Sequence, residues 1–230
     1  HDDIYILPLL DALLSNGQAG LIDLNLVKSQ KILSGYSQYM VAKDYSFFKL
    51  KGSPRAGQTL NEVRELLLKE LQNIKEGQFN EWMLSATIKN FKLDNQKRNE
   101  SNSYRARKMT NAFIMGQEWE SIVNINNKLS NVTKQDVIDF ANKYFYENYI
   151  VVNKLNGPPN SVKVKKPKIT TVPINRDTVS NFALKFQKIK SQRLQPIFND
   201  YDKSIKNFQV KNNISGFYVK NMTNELFSLS

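Results

Sequence analysis

Residues 34–77, SGYSQYMVAKDYSFFKLKGSPRAGQTLNEVRELLLKELQNIKEG, constrain the fold more than any other stretch. Residues 36–42 and 45–51 are rich in aromatic and apolar side chains and read as two strands. Lys43-Asp44 separates them, a two-residue polar break of hairpin length. Gly52, Pro54 and Gly57 punctuate the loop that follows. Thr59 with Glu62 three residues on is a capping box, in which hydroxyl and carboxylate each take an orphan N–H. Val63, Leu66, Leu67, Leu71 and Ile74 then fall at helical spacing, and Lys75 and Gly77 end the helix. An apolar helix stripe next to a half-apolar hairpin is satisfied when the helix lies across the sheet. The expected class is α+β: an antiparallel sheet with helices packed on one face.

The flanking sequence adds helices. Leu7, Leu9, Leu10, Leu13 and Leu14 predict a first helix beginning near Leu7, where Pro8 would fall in the first turn. Residues 20–31 carry Leu21, Leu24 and Val27 at spacings of three. After Asn80, a possible cap, Leu84, Ile88 and Phe91 mark one helix face. The polar run 95–107 is either a solvated helix face or a bend between two helices. Ala106, Met109, Ala112 and Phe113 mark a helix over 104–115, and Trp119, Ile122 and Ile125 another over 118–129. Thr133 with Asp136 opens a further helix carrying Val137, Phe140, Ala141, Tyr144 and Phe145. Residues 149–155 are β-rich and apolar on both faces, as a central strand is.

From Gly157 the composition changes. GPPNSVKVKKPKITTVPINR reads as an extended linker, residues 177–190 as a short helix, and 196–206 as irregular. A terminal hairpin is expected from 214–220 and 225–230, turning at 221–224 and stopping within its second strand. The predicted organisation is a domain over 1–156, a basic linker over 157–206 and a truncated hairpin over 207–230. Charge follows the same division. Residues 1–154 hold 20 Lys and Arg against 17 Asp and Glu, whereas 155–230 hold 13 against 4.

Several kinds of chemistry are excluded by residue type. The chain has no cysteine, so disulfides, thiolate zinc sites and iron–sulfur clusters are ruled out. Its single histidine is His1, whereas a histidine zinc site usually needs two or three imidazoles. His1 reads as an exposed end residue. No apolar run approaches a membrane span, and HDDIYILPLL lacks the basic region and cleavage site of a signal peptide. The sequence opens directly on a helix, which suggests a fragment of a longer protein.

Other clusters have plain readings. The lysines of 162–168, VKVKKPK, lack interleaved aromatics and read as a solvated linker rather than a nucleic-acid site. Tyr104, Arg105, Arg107 and Lys108 read as a solvent-facing helix side. Glu118 and Glu120 point to different helix faces. Asp200 and Asp202 lack the glycine and glutamate of a calcium loop. Tyr144, Phe145 and Tyr146 read as core and rim. No residue is assigned a catalytic, cofactor-binding or metal-binding role.

The order of elements carries a resemblance. Residues 3–27, DIYILPLLDALLSNGQAGLIDLNLV, the hairpin-helix stretch 34–77, and 129–157, LSNVTKQDVIDFANKYFYENYIVVNKLNG, together resemble the second, non-catalytic domain of the insulinase/pitrilysin family of zinc metallopeptidases. In that family, helices precede a hairpin and a long helix, and a V-T-x-x-D-V helix precedes a last strand. The likeness spans residues 3–157. The tail, with NMTNELFSL at 221–229, resembles the entry to the third domain of a single-chain member.

The family's H-x-x-E-H zinc motif belongs to its first domain and has no counterpart here, nor do the arginine and tyrosine that hold substrate. The resemblance therefore implies a wall of a peptidase chamber and the hinge between halves. Zinc and the peptide substrate would belong to the full-length parent, and this piece would be inert alone. It also implies a missing first strand, hence an open sheet edge that the terminal hairpin or a second copy would cover. Single-chain bacterial members lean the compartment toward the periplasm or an exported location. Two other readings compete: a non-catalytic subunit or interaction module of the same fold, and a basic anion-binding module using the tail.

Overall fold

The computed structural model describes residues 4–158, 165–174, 176–198 and 200–229. The chain divides into two units, His1–Leu155 and Asn156–Ser230.

In the first unit a 3-10 turn, Ile4–Ile6, leads into helix α1, Leu7–Leu14. Pro8 lies in the first turn of α1, where a missing N–H leaves no helical bond unmade. Leu7, Leu9, Leu10, Leu13 and Leu14 are all buried, so α1 is apolar all round and forms part of the core interior. The next segment departs from its expected period. Asp23–Lys28 is π-helical, and the wider turn rotates the buried face. Leu21, Ile22 and Leu26 are buried, while Leu24 is exposed. Asp23 is buried at the start of this segment, and its Oδ2 accepts the N–H groups of Asn16 (2.8 Å) and Gly20 (3.0 Å), closing the intervening loop.

Strands β1, Ser34–Met40, and β2, Phe47–Ser53, pair antiparallel with Ser34 opposite Ser53 and Met40 opposite Phe47. They are joined by residues 41–46, not by a two-residue turn. A tight primed turn needs φ > 0 at its central residues, and neither Lys43 nor Asp44 adopts it. One face of the hairpin carries Gly35, Ser37, Tyr39, Phe48, Leu50 and Gly52 and turns toward the helices. On that face Ser37 Oγ donates to the Asp11 carbonyl of α1 at 3.0 Å.

Helix α2, Leu60–Lys75, starts at the expected capping box: Thr59 Oγ1 accepts from Glu62 N (3.2 Å), and Glu62 Oε2 accepts from Thr59 N (2.7 Å). Val63, Leu67 and Ile74 are buried against the sheet and its neighbours. Gly77, at φ +70°, ends it in the left-handed conformation.

Helix α3, Glu81–Asn99, buries Met83, Leu84 and Ile88. The polar run beyond it is a bend, because Ser101 caps a new helix α4, Asn102–Met115, by accepting from Tyr104 N (3.3 Å). The α4 stripe is not a core face. Only Ala112 is buried, and Met109 and Phe113 are exposed. The expected single helix over 118–129 is two, α5, Trp119–Val123, and α6, Ile125–Ser130, which meet at Asn124. Helix α7, Lys134–Tyr144, packs on α2 and begins with the reciprocal Thr133–Asp136 box. Val137, Phe140 and Ala141 are buried.

The predicted central strand over 149–155 does not form. These residues lie outside any strand and are exposed. Strand-forming composition makes a strand only where a partner edge is available, and among the described residues none pairs with this run.

The second unit contains α8, Asn181–Gln187, α9, Tyr201–Ser204, and a hairpin of β3, Ile205–Lys211, and β4, Ile214–Val219. The hairpin is present but lies earlier than predicted. Its turn is Asn212-Asn213, with Asn213 at φ +70°, and a bulge between Gln209 and Lys211 absorbs Val210. Asn221 and Asn224 do build a turn, through Thr223 N to Asn221 Oδ1 (2.9 Å) and Leu226 N to Asn224 Oδ1 (2.9 Å). No strand follows it among the described residues, and Ser230 lies outside them. Among the described residues the terminal hairpin forms a two-stranded sheet of its own.

Candidate functional site

The prominent concave feature of the first unit is a groove of about 2580 Å³ beside β2. Its lining includes Val63, Leu67 and Leu71, one row of α2 at helical spacing. Phe140, Tyr144 and Phe145, at the end of α7, add an aromatic wall. Phe145 packs on Phe48 with ring centroids 4.9 Å apart, and Phe140 on Tyr144 at 4.6 Å. Tyr144 and Phe145 are thus core and rim, as their sequence suggested, while Tyr146 is exposed.

Two features of the groove bear on ligands. Every residue of β2 lines it, whereas β1 contributes Tyr39 alone. The ionisable lining is seven Lys and Arg against three Asp and Glu. Lys51 is one of these cations, and its ammonium lies 5.5 Å from the centroid of the Tyr36 ring. Main-chain groups of β2 and a surplus of positive charge are therefore what the groove offers.

The residues considered for chemistry from sequence are scattered. Arg105 is used at the α3–α4 bend, donating to the Asn99 carbonyl (2.5 Å) and to Asn102 Oδ1. Lys108 donates to Asn95 Oδ1 at 3.2 Å, and partial burial holds its ammonium below the usual lysine range. Tyr104, Arg107 and Lys108 line a second, smaller pocket with Ala112 and Ile122. Glu118 stands at the N-cap of α5 with Glu120 in the first turn. Asp200 caps α9, accepting from Lys203 N at 3.3 Å, and pairs with the Lys203 ammonium at 2.9 Å. Lys165, Lys166 and Lys168 are exposed, while residues 162–164 and His1 lie outside the described residues.

The donors among the described residues do not fit a zinc ion. Among the described residues no three His, Asp or Glu side chains gather, and the chain has no cysteine and one histidine. In the lining of the groove Lys128 Nζ donates to Ser121 Oγ at 2.7 Å, so one hydroxyl and one amine meet there.

Comparison with solved structures places this arrangement. A protease from Helicobacter pylori is similar over 64% of this chain and 36% of its own, with a TM-score of 0.59 and 20% identity. A chain from Bordetella parapertussis described as "the inactive peptidase domain of a putative zinc protease" is similar over 64% of this chain and 80% of its own, with a TM-score of 0.58 and 15% identity. The fold is that of peptidase domains. A conserved protein from Enterococcus faecalis V583 shares it, with a TM-score of 0.54 and 15% identity over 62% of this chain and 33% of its own. This chain thus spans about a third of the H. pylori protease. No family model matches the sequence, and no curated protein matches it.

The groove itself was not anticipated from sequence. Its signal was there in two β-rich runs, 45–51 and 149–155, separated by a string of helices with no third run between them.

Proposed function

We propose that this chain is a non-catalytic part of a zinc peptidase of the insulinase/pitrilysin type. In that role it contributes a wall of the chamber that encloses a peptide, and its basic second unit belongs to the connection between halves. The observation that carries the reading is the likeness to an inactive peptidase domain of which 80% is covered. The donor set agrees with a supporting role, since the chain has one histidine and no cysteine, whereas zinc sites are usually made from several imidazoles or thiolates. The peptidase's metal and its general base then belong to other sequence of the same protein.

The experiment is a hydrolysis assay on the purified 230-residue chain with quenched-fluorescent peptides, with and without added zinc. The expected result is no zinc-dependent cleavage. Cleavage that is abolished by a chelator and restored by zinc would overturn the reading.

A second reading is favoured by the same neighbour: a fold that serves without catalysis, as a subunit or interaction module. The two separate on one observation. An H-x-x-E-H motif encoded upstream supports the peptidase piece, and its absence supports the interaction module.

A further inference from the structure

The basic cluster at the start of α4 divides in the structure. Arg105 turns to the α3–α4 bend, where it donates to the Asn99 carbonyl. Arg107 and Lys108 instead line the second pocket, which has a volume of about 410 Å³. Tyr104, Arg107, Lys108 and Asn111 stand at helical spacing and share one face of α4. Gly116, left-handed at φ +62°, turns the chain at the end of that helix. Gln117 N closes the turn on the Ala112 carbonyl at 2.9 Å. The reversal brings Gln117 and Ile122 of α5 to the same face.

The charge in this lining has one sign. Arg107 and Lys108 carry it, and among the described residues no carboxylate joins them. Glu118 adjoins Gln117 in sequence but lines the larger groove instead. Arg107 makes no ion pair or hydrogen bond among the described residues. Lys108 donates to the neutral Asn95 Oδ1, and partial burial holds its ammonium below the usual lysine range. A cation that has given up solvent without gaining a counter-charge is stabilised by an anion that reaches it.

We propose that this pocket binds the dianionic phosphate of a small phosphorylated molecule, with Arg107 and Lys108 taking its charge. A phosphate monoester brings about two negative charges and three acceptor oxygens. These match two cations and the donors of Tyr104, Asn111 and Gln117. A carboxylate or a phosphodiester brings one charge and leaves one cation uncompensated. The guanidinium fork suits two phosphate oxygens at once, and the ammonium adds a point charge beside it. The volume is that of a small-ligand pocket, and Ala112 and Ile122 offer the organic part an apolar contact. The site stands whether or not the chain comes from a peptidase.

The test is a titration of the 230-residue chain with phenyl phosphate at physiological ionic strength, followed by calorimetry and by amide NMR shifts. Benzoate and dimethyl phosphate serve as one-charge comparisons, and phosphatidic acid vesicles as a lipid source of the same group. Phenyl phosphate is expected to bind roughly tenfold or more tightly than either monoanion and to shift amides of 104–112 and 117–122. R107Q and K108Q are each expected to weaken it roughly tenfold or more. K165Q/K166Q, in the exposed lysines of the second unit, is expected to leave it unchanged. Three outcomes overturn the proposal: no binding of phenyl phosphate to a folded chain, equal binding of dimethyl phosphate, or equal losses in R107Q and K165Q/K166Q. The last would make the attraction one of net charge alone. Binding to the vesicles that depends on Arg107, without binding of phenyl phosphate, would place the phosphate on a lipid and also overturn it.

Discussion

Gly35 and Gly52 stand directly opposite each other across the β1–β2 ladder, on the face that meets the helices. A Cβ at Gly52 would lie 2.5 Å from Val63 Cγ1 and 3.0 Å from Leu67 Cδ1 of α2. A Cβ at Gly35 would lie 2.6 Å from Ile32 Cδ1 and 3.2 Å from Ile22 Cγ2. The paired glycines thus leave bare backbone on which α2 and the π-helical region rest. Gly52→Val is expected to push α2 off the sheet and destabilise the first unit by about 1–3 kcal/mol, the usual cost of overpacking. Urea unfolding measures it. An unchanged midpoint would mean that α2 does not sit this close.

A second link joins the same elements by polar groups. Asn25 Nδ2 donates to Glu70 Oε2 at 2.8 Å, and Asn73 Nδ2 donates to the same oxygen at 3.0 Å. Glu70 is 4% exposed, so its carboxylate depends on these donors. Asn25→Leu should cost about 1.5–3 kcal/mol, the worth of a hydrogen bond to a charged group. In Glu70→Gln the same substitution should cost less. A double-mutant cycle in urea gives the coupling, and zero coupling would show that the two side chains do not meet.

The capping boxes make stability depend on acid. At Asp136 the hydrogen bonds from the Thr133 hydroxyl and backbone N–H hold the carboxyl below its ordinary value. A carboxyl lowered in the folded state adds stability that is present above its unfolded value, near 3.8, and lost as the pH falls through the folded one. Thr133→Ala is expected to cost about 1 kcal/mol at neutral pH and to cost less as acid protonates Asp136. Thermal melts at pH 7 and in the acid range compare the two. A cost independent of pH would contradict the pairing.

Asp11 acts with the opposite sign. Burial raises its carboxyl above the ordinary 3.8, only partly offset by the Ser37 hydroxyl. Among the described residues its Oδ1 has no hydrogen-bond partner. Because the protonated form is favoured in the folded state, the contribution is full below the unfolded value and declines as the pH rises through the folded one. Burial, and after it the Asp11 charge, push the Tyr39 hydroxyl upward. Asp11→Asn should remove a downward slope of stability above about pH 4, on the order of 1 kcal/mol or less because the site is half-exposed. The same slope in both proteins would contradict this.

What the sequence displays and what it conceals divide by range. The Thr59–Glu62 and Thr133–Asp136 boxes, Pro8 in a first turn and Gly77 as a stop are decided within four residues, and all are found where the pattern placed them. The π-helical bond pattern at Asp23–Lys28 has no composition of its own, so the spacing of Leu21, Leu24 and Val27 misleads about the buried face. Met109 and Phe113 share a helical stripe that no neighbour among the described residues covers, and periodicity cannot tell a core face from an uncovered one. Residues 149–155 show the same limit for strands. The terminal hairpin turns on Asn212-Asn213, a pair well suited to positive φ, and the Asn-flanked run 221–224 offers similar turn chemistry a few residues on. The groove depends on which edge lies open, a non-local property that no window of sequence contains.

The reading proposed above makes this chain a non-catalytic part of a zinc peptidase, with the metal held elsewhere. Its most direct test is the zinc content of the purified chain, by elemental mass spectrometry after incubation with excess zinc and desalting. Well under one zinc per chain is expected, on the order of 0.1 or less, because among the described residues no three His, Asp or Glu side chains gather. One tightly held zinc per chain would contradict it.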